Sequence, residues 1–190
     1  MDLFLTISTF IFCCILHSLT ATYSIKQTFQ KQKISDKNYR LIYNLFSVLT
    51  FGFWYYFFIL KTNQNSIYTL EGTWKSIFNA LRVLGILGFL LTLRDFSGTE
   101  FLGLKEQKTT SFTTKGMFKF CRHPLYFFST ILLIFDSSPT ENKLVFSVGC
   151  ATYFFVGSYF EEKRMIQEIG EKYLEYKRNT PRFIPFLKLN

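Results

Sequence analysis

The chain has 190 residues, 48% of them hydrophobic and 20% aromatic, with 25 Phe and 11 Tyr. That composition is too apolar for an ordinary soluble fold and places the chain among membrane proteins. The net charge of +9 sits in basic clusters between apolar spans rather than along one polar stripe, which points to membrane topology and excludes nucleic acid as the partner.

The expected architecture is all-α: a polytopic membrane helix bundle of about five transmembrane segments, forming a single domain over residues 1–190. The opening MDLFLTISTF lacks the positive n-region of a signal peptide, and its apolar run exceeds a usual h-region, so residues 3–21 read as a retained first span. Residues 41–60 form a second charge-free span, long enough at about 1.5 Å per residue to cross a core about 30 Å thick. Residues 77–93 are a third span. It carries Arg82, a charge that must face the bundle interior, find a partner or snorkel to the nearer interface; its place near the start of the span favours snorkelling.

Residues 125–135 give only 11 apolar positions before the polar turn from Asp136 to Lys143, which is short for an independent span. Residues 144–160 return as the fifth segment, and the two read as a helical hairpin. Cys13, Cys14 and Cys150 lie in spans and Cys121 beside Arg122; with no CxxC or Cys/His ligand spacing, neither disulfides nor a metal site is expected.

Lysines and arginines after the first, third and fifth spans number 5, 5 and 7 (with Arg94 left to its span), against 2 and 1 after the second and fourth. The positive-inside rule then puts the N-terminus outside and the C-terminus in the cytosol. The linker 96–123 and the tail 161–190 thereby share a compartment and can build one site.

Within the linker, Gly116 to Tyr126 (GMFKFCRHPLY) turns into an apolar helix at Pro124, which pre-sets the first helical turn. Arg122, His123 and unpaired helix N–H groups suit an anionic or heteroaromatic ligand, and equally suit an interfacial anchor. Glu161 and Glu162 stand at a lipid boundary, where carboxylates need cations. Either Lys163 and Arg164 supply them, or one carboxylate holds a ligand ammonium while Arg122 or Arg182 takes a ligand carboxylate.

Tyr173 and Tyr176 share a helix face, suited to stacking on a flat ring or to packing at the interface. Gly170 would permit close approach of backbone or ligand. The tail should stay helical to about Lys177 and stop at Pro181 and Pro185, leaving Phe183, Ile184, Phe186 and Leu187 to dip into the interface. His17, a lone histidine in an apolar span, either hydrogen-bonds a neighbouring helix or touches a ligand.

Read together, Gly116 to Tyr126, Glu161-Glu162, Gly170 to Tyr176 and Thr180-Pro181-Arg182-Phe-Ile-Pro185 resemble the signature of isoprenylcysteine carboxyl methyltransferase-type integral membrane enzymes. Looser pieces extend the resemblance over the whole chain toward a bacterial branch, the methanethiol S-methyltransferase and NnrU-like proteins. These are His17-Ser18, Asn38 to Asn44, Phe101 to Leu104 with Gln107, the turn Phe135 to Thr140, Leu144-Val-Phe and Thr152-Tyr153.

The resemblance implies S-adenosylmethionine bound on the cytosolic side by residues 116–126 and 161–185, in a bacterial inner membrane. Arg122, His123, Pro124, Tyr126, Glu161, Glu162, Tyr173, Tyr176 and Arg182 would line the cofactor pocket, with Arg122, His123 and Glu162 nearest the chemistry. The acceptor would be a small thiol or a lipophilic molecule reaching the methyl group from between the helices, with His17, Tyr43 and Asn44 on its side. Methanethiol-type S-methylation is favoured. The rivals are an isoprenylcysteine carboxylate, a lipid headgroup, and a non-catalytic NnrU-like sensor or assembly protein.

A transporter is ranked last, because no internal repeat or paired broken helices support it. Methyl transfer by in-line displacement needs alignment and desolvation rather than a nucleophilic triad. Phe128 departs from the resemblance, standing where the family often has a small residue, with a wider helix gap or a narrower acceptor tunnel as the expected result.

Overall fold

A computed structural model describes residues 3–62, 64–95, 98–106 and 112–187. Gln107 and residues 188–190 lie outside the described residues. The regular elements are helices: α1 (Leu3–Thr20), α2 (Tyr23–Lys31), α3 (Asp36–Tyr55), α4 (Gly72–Asp95), α5 (Gly98–Phe101), α6 (Pro124–Ile134), α7 (Glu141–Ile169) and α8 (Glu171–Asn179). A π-helical turn, Tyr56–Leu60, continues α3, and a 3₁₀ turn spans Gly116–Lys119.

Among the described residues four helices are long and apolar enough to cross a bilayer: α1, α3 with its π turn, α4 and α7. The chain is an integral membrane protein on that ground, and exposed Val48, Leu49, Phe53, Leu87 and Leu90 form the kind of apolar surface that lipid covers. The fourth predicted segment is present as α6, whose 11 residues span about 16 Å, roughly half the hydrocarbon core. Contacts group the chain into two compact units, Met1–Asn65 with Ser97–Ser111 and Thr140–Val145, and Ser66–Phe96 with Phe112–Pro139 and Phe146–Asn190.

In the first unit α1 and α3 pack through aromatic rings. Trp54, 2% exposed, sits 5.2 Å from the Phe10 ring and donates its indole N–H to Thr9 at 3.1 Å. Helix α2 was not foreseen within the basic stretch 22–40. It is fastened by Phe29 against Tyr39, ring centroids 5.3 Å apart, and by Lys26 to Asp36 at 2.8 Å. Ser35 caps α3, accepting from the Asn38 N–H at 3.3 Å.

Gly103, at φ +76, lies so close to α3 that an added Cβ would sit 2.6 Å from the Leu41 nitrogen. Only glycine meets both demands, which gives the Phe101 to Leu104 piece a physical reason. The π turn leaves the Phe58 carbonyl to side chains: Thr62 donates to it at 2.6 Å and Asn142 Nδ2 at 2.7 Å. Asn142 is fully buried, and its Oδ1 has no hydrogen-bond partner among the described residues.

In the second unit α6 lies along α4. Gly85 and Gly88 of α4 form a notch: a Cβ on Gly85 would meet the Phe128 carbonyl at 3.1 Å, and one on Gly88 would fall inside the Phe128 ring. The bulky departure at Phe128 is thereby absorbed on the α4 face, where the ring is 7% exposed. Arg82 finds a partner in the hairpin turn, 3.9 Å from Asp136, while its side chain stays 41% exposed. That turn also receives residues 67–70, through Ile67 N–H to Pro139 O and Leu70 N–H to Ser137 O, each at 2.9 Å.

The tail helix does not run unbroken to Lys177. It ends at Ile169 and restarts as α8 at Glu171, because Gly170 takes φ +70. Beyond its own chain neighbours, no atom of the described residues lies within 4 Å of a Cβ placed there, so Gly170 serves as a left-handed break in the helix rather than a site of close approach.

Candidate functional site

The site assembles where the linker meets the tail within the second unit. Pro124 opens α6 and, through its ring, keeps the preceding residue out of helical geometry; His123 has φ −123 and ψ 59. The backbone on either side is tied to the tail, with Arg122 N–H to Pro181 O at 2.8 Å and His123 N–H to Arg182 O at 3.0 Å. The 3₁₀ turn ahead of it is fixed from α4, where Asp95 accepts from the Met117 N–H at 2.8 Å. Gly116, at φ +58, has no room for a Cβ beside that carboxylate.

Glu162 is the centre of the cluster, 1% exposed. Its Oε1 accepts from Arg122 Nε at 2.8 Å and Arg182 Nε at 3.2 Å, and lies 3.2 Å from His123 Nε2. Its Oε2 accepts from Arg182 Nη2 at 3.1 Å and faces Lys177 Nζ at 3.3 Å. The neutralising cations are therefore distant in sequence. Arg164, offered as the neighbouring partner, lies instead 3.9 Å from Glu168.

Burial pushes the Glu162 carboxyl up, but hydrogen bonds from His123, Arg122 and Arg182 outweigh it and hold the group well below the usual carboxylate range. Glu162 lies beyond Phe160, the last residue of the predicted fifth span, and it stays ionised at neutral pH.

Arg122 does more than pair with Glu162. Its Nη1 donates to the carbonyls of Lys177 at 3.0 Å and Thr180, so one buried guanidinium closes the end of α8 onto the linker. Glu161 is different: its side chain is 38% exposed and its Oε2 is 3.6 Å from His123 Nδ1, beyond hydrogen-bond distance. It accepts from the Tyr126 hydroxyl at 3.0 Å. His123 thus stands between the two carboxylates, its ring parallel to Tyr126 within 3° at 5.4 Å.

The stack continues from Tyr126 to Phe154, again within 3° at 5.0 Å, and on the other side His123 faces Phe183 at 5.6 Å. Beside it, α6, α7 and the tail border an open cleft of about 290 Å³, walled by Phe127, Ile131, Ile134, Ala151, Phe154 and Phe183.

Tyr173 and Tyr176 come together as their spacing implies, 5.9 Å between centroids. Both are buried, with Phe112 packed on them at 5.6 and 5.4 Å. Tyr176 donates to the Phe118 carbonyl at 2.6 Å. Burial raises both phenols; Glu162 adds to it at Tyr173, and Tyr173 at Tyr176. Burial also pushes the Cys121 thiol up to about 12, which leaves it inert.

His17, Tyr43 and Asn44 belong to the first unit. His17 is not isolated: Tyr43 OH lies 2.7 Å from its Nε2 and Ser47 Oγ 2.8 Å from its Nδ1, so the expected hydrogen bond to a neighbouring helix is present. Lys177 and Asp95 were not singled out from sequence. Lys177 carries a signal, four residues after Tyr173 on the same helix face; Asp95, 22 residues from its partner, carries none.

The cluster sets three cationic side chains, Arg122, Arg182 and Lys177, around one buried carboxylate. That surplus of positive charge suits an anion, and the half-exposed Glu161 carboxylate beside it suits a cation. Among the described residues no group of His, Cys, Asp and Glu is placed to hold a metal ion.

A family model described as "Protein of unknown function (DUF1295)" matches residues 22–180. The chain is 35% identical over 82 residues to a methanethiol S-methyltransferase of Pseudomonas deceptionensis, covering 42% of this chain and 30% of that protein. It is 34% identical over 122 residues to one of Crocosphaera subtropica, 58% and 47% of the two chains. It is also 29% identical over 121 residues to the cobalt-zinc-cadmium resistance protein CzcN of Cupriavidus metallidurans, 63% and 55% of the two. The matches thus span about a third to a half of these relatives' lengths, and the similarity bears out the resemblance to the methanethiol S-methyltransferase branch. No solved structure matches.

Proposed function

The chain belongs to the family described as protein of unknown function (DUF1295), and from that premise we propose that it is an S-adenosylmethionine-dependent membrane methyltransferase acting on a small thiol. One observation carries the reading: Glu162, buried and ionised, is ringed by Arg122, Arg182, Lys177 and His123. The methanethiol S-methyltransferase relatives support the thiol as acceptor.

The residues present fit a zwitterionic cofactor. The cation surplus of Arg182 and Lys177, partly exposed at 28% and 37%, would take its carboxylate. Glu161, half-exposed and oriented by Tyr126, would take its ammonium. Glu162 is a fixed counter-charge: it holds the guanidiniums in place and does not shuttle protons. Pro124 fixes the backbone that presents His123, while Tyr173 and Tyr176 back the cluster. When bound, S-adenosylmethionine supplies an electrophilic sulfonium methyl; what the chain adds is alignment and exclusion of water.

The basic segments on either side of α6 and α7 support placing this site on the cytosolic face.

Calorimetric titration of the purified protein with S-adenosylmethionine tests the cofactor assignment, with saturable binding expected and its loss in Arg182→Ala. Transfer of a labelled methyl group to methanethiol, rather than to farnesylcysteine analogues or extracted lipids, tests the acceptor. A second reading rests on the same ion pairs: a carboxylate so fully engaged would also serve a purely structural tie in a non-catalytic NnrU-like protein. Absence of cofactor binding by folded protein decides for it.

A further inference from the structure

The cleft beside the cluster is built for something other than a charged group. Helix α6 turns Phe128 toward α4 and its opposite side, Phe127, Ile131 and Ile134, toward the cleft. Ala151 and Phe154 supply the α7 wall, and Phe183 closes it from the tail.

Among the lining residues Thr130 alone has a polar side chain, and its hydroxyl is already donated to the Tyr126 carbonyl at 2.8 Å. A carboxylate, ammonium or sugar placed there would lose its hydration without a partner. An apolar group would not.

The cleft borders the polar site through two shared rings. Phe154 is a wall of the cleft and the next ring in the stack after Tyr126. Phe183 is another wall and faces His123. A molecule with an apolar body in the cleft therefore has its head at the His123–Tyr126–Glu161 end.

Size adds the deciding point. Pockets that hold drug-sized ligands run from about 300 Å³ upward, so about 290 Å³ is far more space than a thiol of two heavy atoms fills. We infer that the cleft is an acceptor subsite for the apolar body of a larger thiol, an alkyl or aryl thiol of roughly four to eight carbons, and that methanethiol underfills it. This rests on the methyltransferase reading above, with the cleft as the acceptor side of the same site.

The test uses the full chain in lipid nanodiscs and a diazirine-bearing hexanethiol, with crosslinked positions mapped by mass spectrometry. Crosslinks are expected on Ile131, Ala151 or Phe154. Unlabelled 1-butanethiol, 1-hexanethiol and thiophenol should compete with rising strength, about fourfold per methylene along the alkyl series, and methanethiol should compete least. Ala151→Trp should abolish the crosslink. Phe155→Ala, which enlarges the same wall, should shift the preference toward longer chains, so a misfolded tryptophan variant does not decide the matter.

Crosslinks outside these residues, or competition independent of chain length, overturn the inference. So does equal labelling by a diazirine fatty acid that the thiols fail to displace, which makes the cleft a lipid site. Titration with S-adenosylmethionine separates the two failures: no cofactor binding removes the methyltransferase reading itself, whereas cofactor binding without cleft labelling removes only the acceptor subsite.

Discussion

At the scale of single residues, Glu162 governs what can be measured. Its carboxyl is lower in the folded protein than its ordinary value of 4.5. The folded state therefore holds the ionised form more tightly, and that contribution is complete above about pH 4.5 and is lost as the pH falls through the carboxylate range. Unfolding midpoints in detergent should drop with acid over that window, and Glu162→Gln should flatten the dependence. The same variant leaves buried Arg122 without its anion and should cost about 3–5 kcal/mol. Glu161→Gln, at a half-exposed side chain, should cost about 1 kcal/mol or less. Equal losses in the two variants would remove Glu162 from the centre of the cluster. Sequence made both carboxylates visible, because acidic pairs at a lipid boundary demand cations. It could not say which cations answer, since Arg122 and Arg182 reach Glu162 from 40 and 20 residues away and only folding sets that distance.

Among the elements, the spans were legible and their neighbours were not. Apolar runs of 17–20 residues announce α1, α3, α4 and α7 through length alone. Lipid-facing helices carry apolar residues on every side, so no polar stripe marks which face meets which partner. The α4–α6 contact shows what such a face uses instead: Gly85 and Gly88, three residues apart, form a notch that Phe128 fills. Gly88→Ala should overpack this contact by about 1–3 kcal/mol, and Phe128→Leu should restore much of that loss. Additive costs in the double mutant, read from denaturation midpoints, would show that the two residues do not share a contact. The short α2 escaped notice because nine residues with two lysines look like a basic loop; its stability comes from Phe29 on Tyr39, not from its own propensity.

For the whole molecule, the long apolar helices make a membrane protein, and the proposed cofactor should stabilise it as a unit. S-adenosylmethionine at 100 times its dissociation constant should add about 2.7 kcal/mol to unfolding, whereas S-adenosylmethionine without effect on the melting temperature would count against the site. Orientation can be read separately. Cysteines placed at the exposed positions Glu71 and Glu175, in a chain with its native cysteines replaced, should react with impermeant reagents from the outside and from the cytosol respectively. The opposite pattern would invert the topology that charge counting implies.

The π turn at the end of α3 has a consequence for how the chain tolerates length changes. A π turn is an α-helix carrying one surplus residue, so removing a single residue from Tyr56–Leu60 would leave a regular helix. The rest of α3 would keep its face, because the wide turn takes up the surplus residue locally. Phe58 would return its carbonyl to the helix ladder, and the Asn142 amide that now donates to it would be stranded at both ends in a fully buried position. A one-residue deletion here is therefore paid for at Asn142, far along the sequence, rather than in the helix that loses the residue.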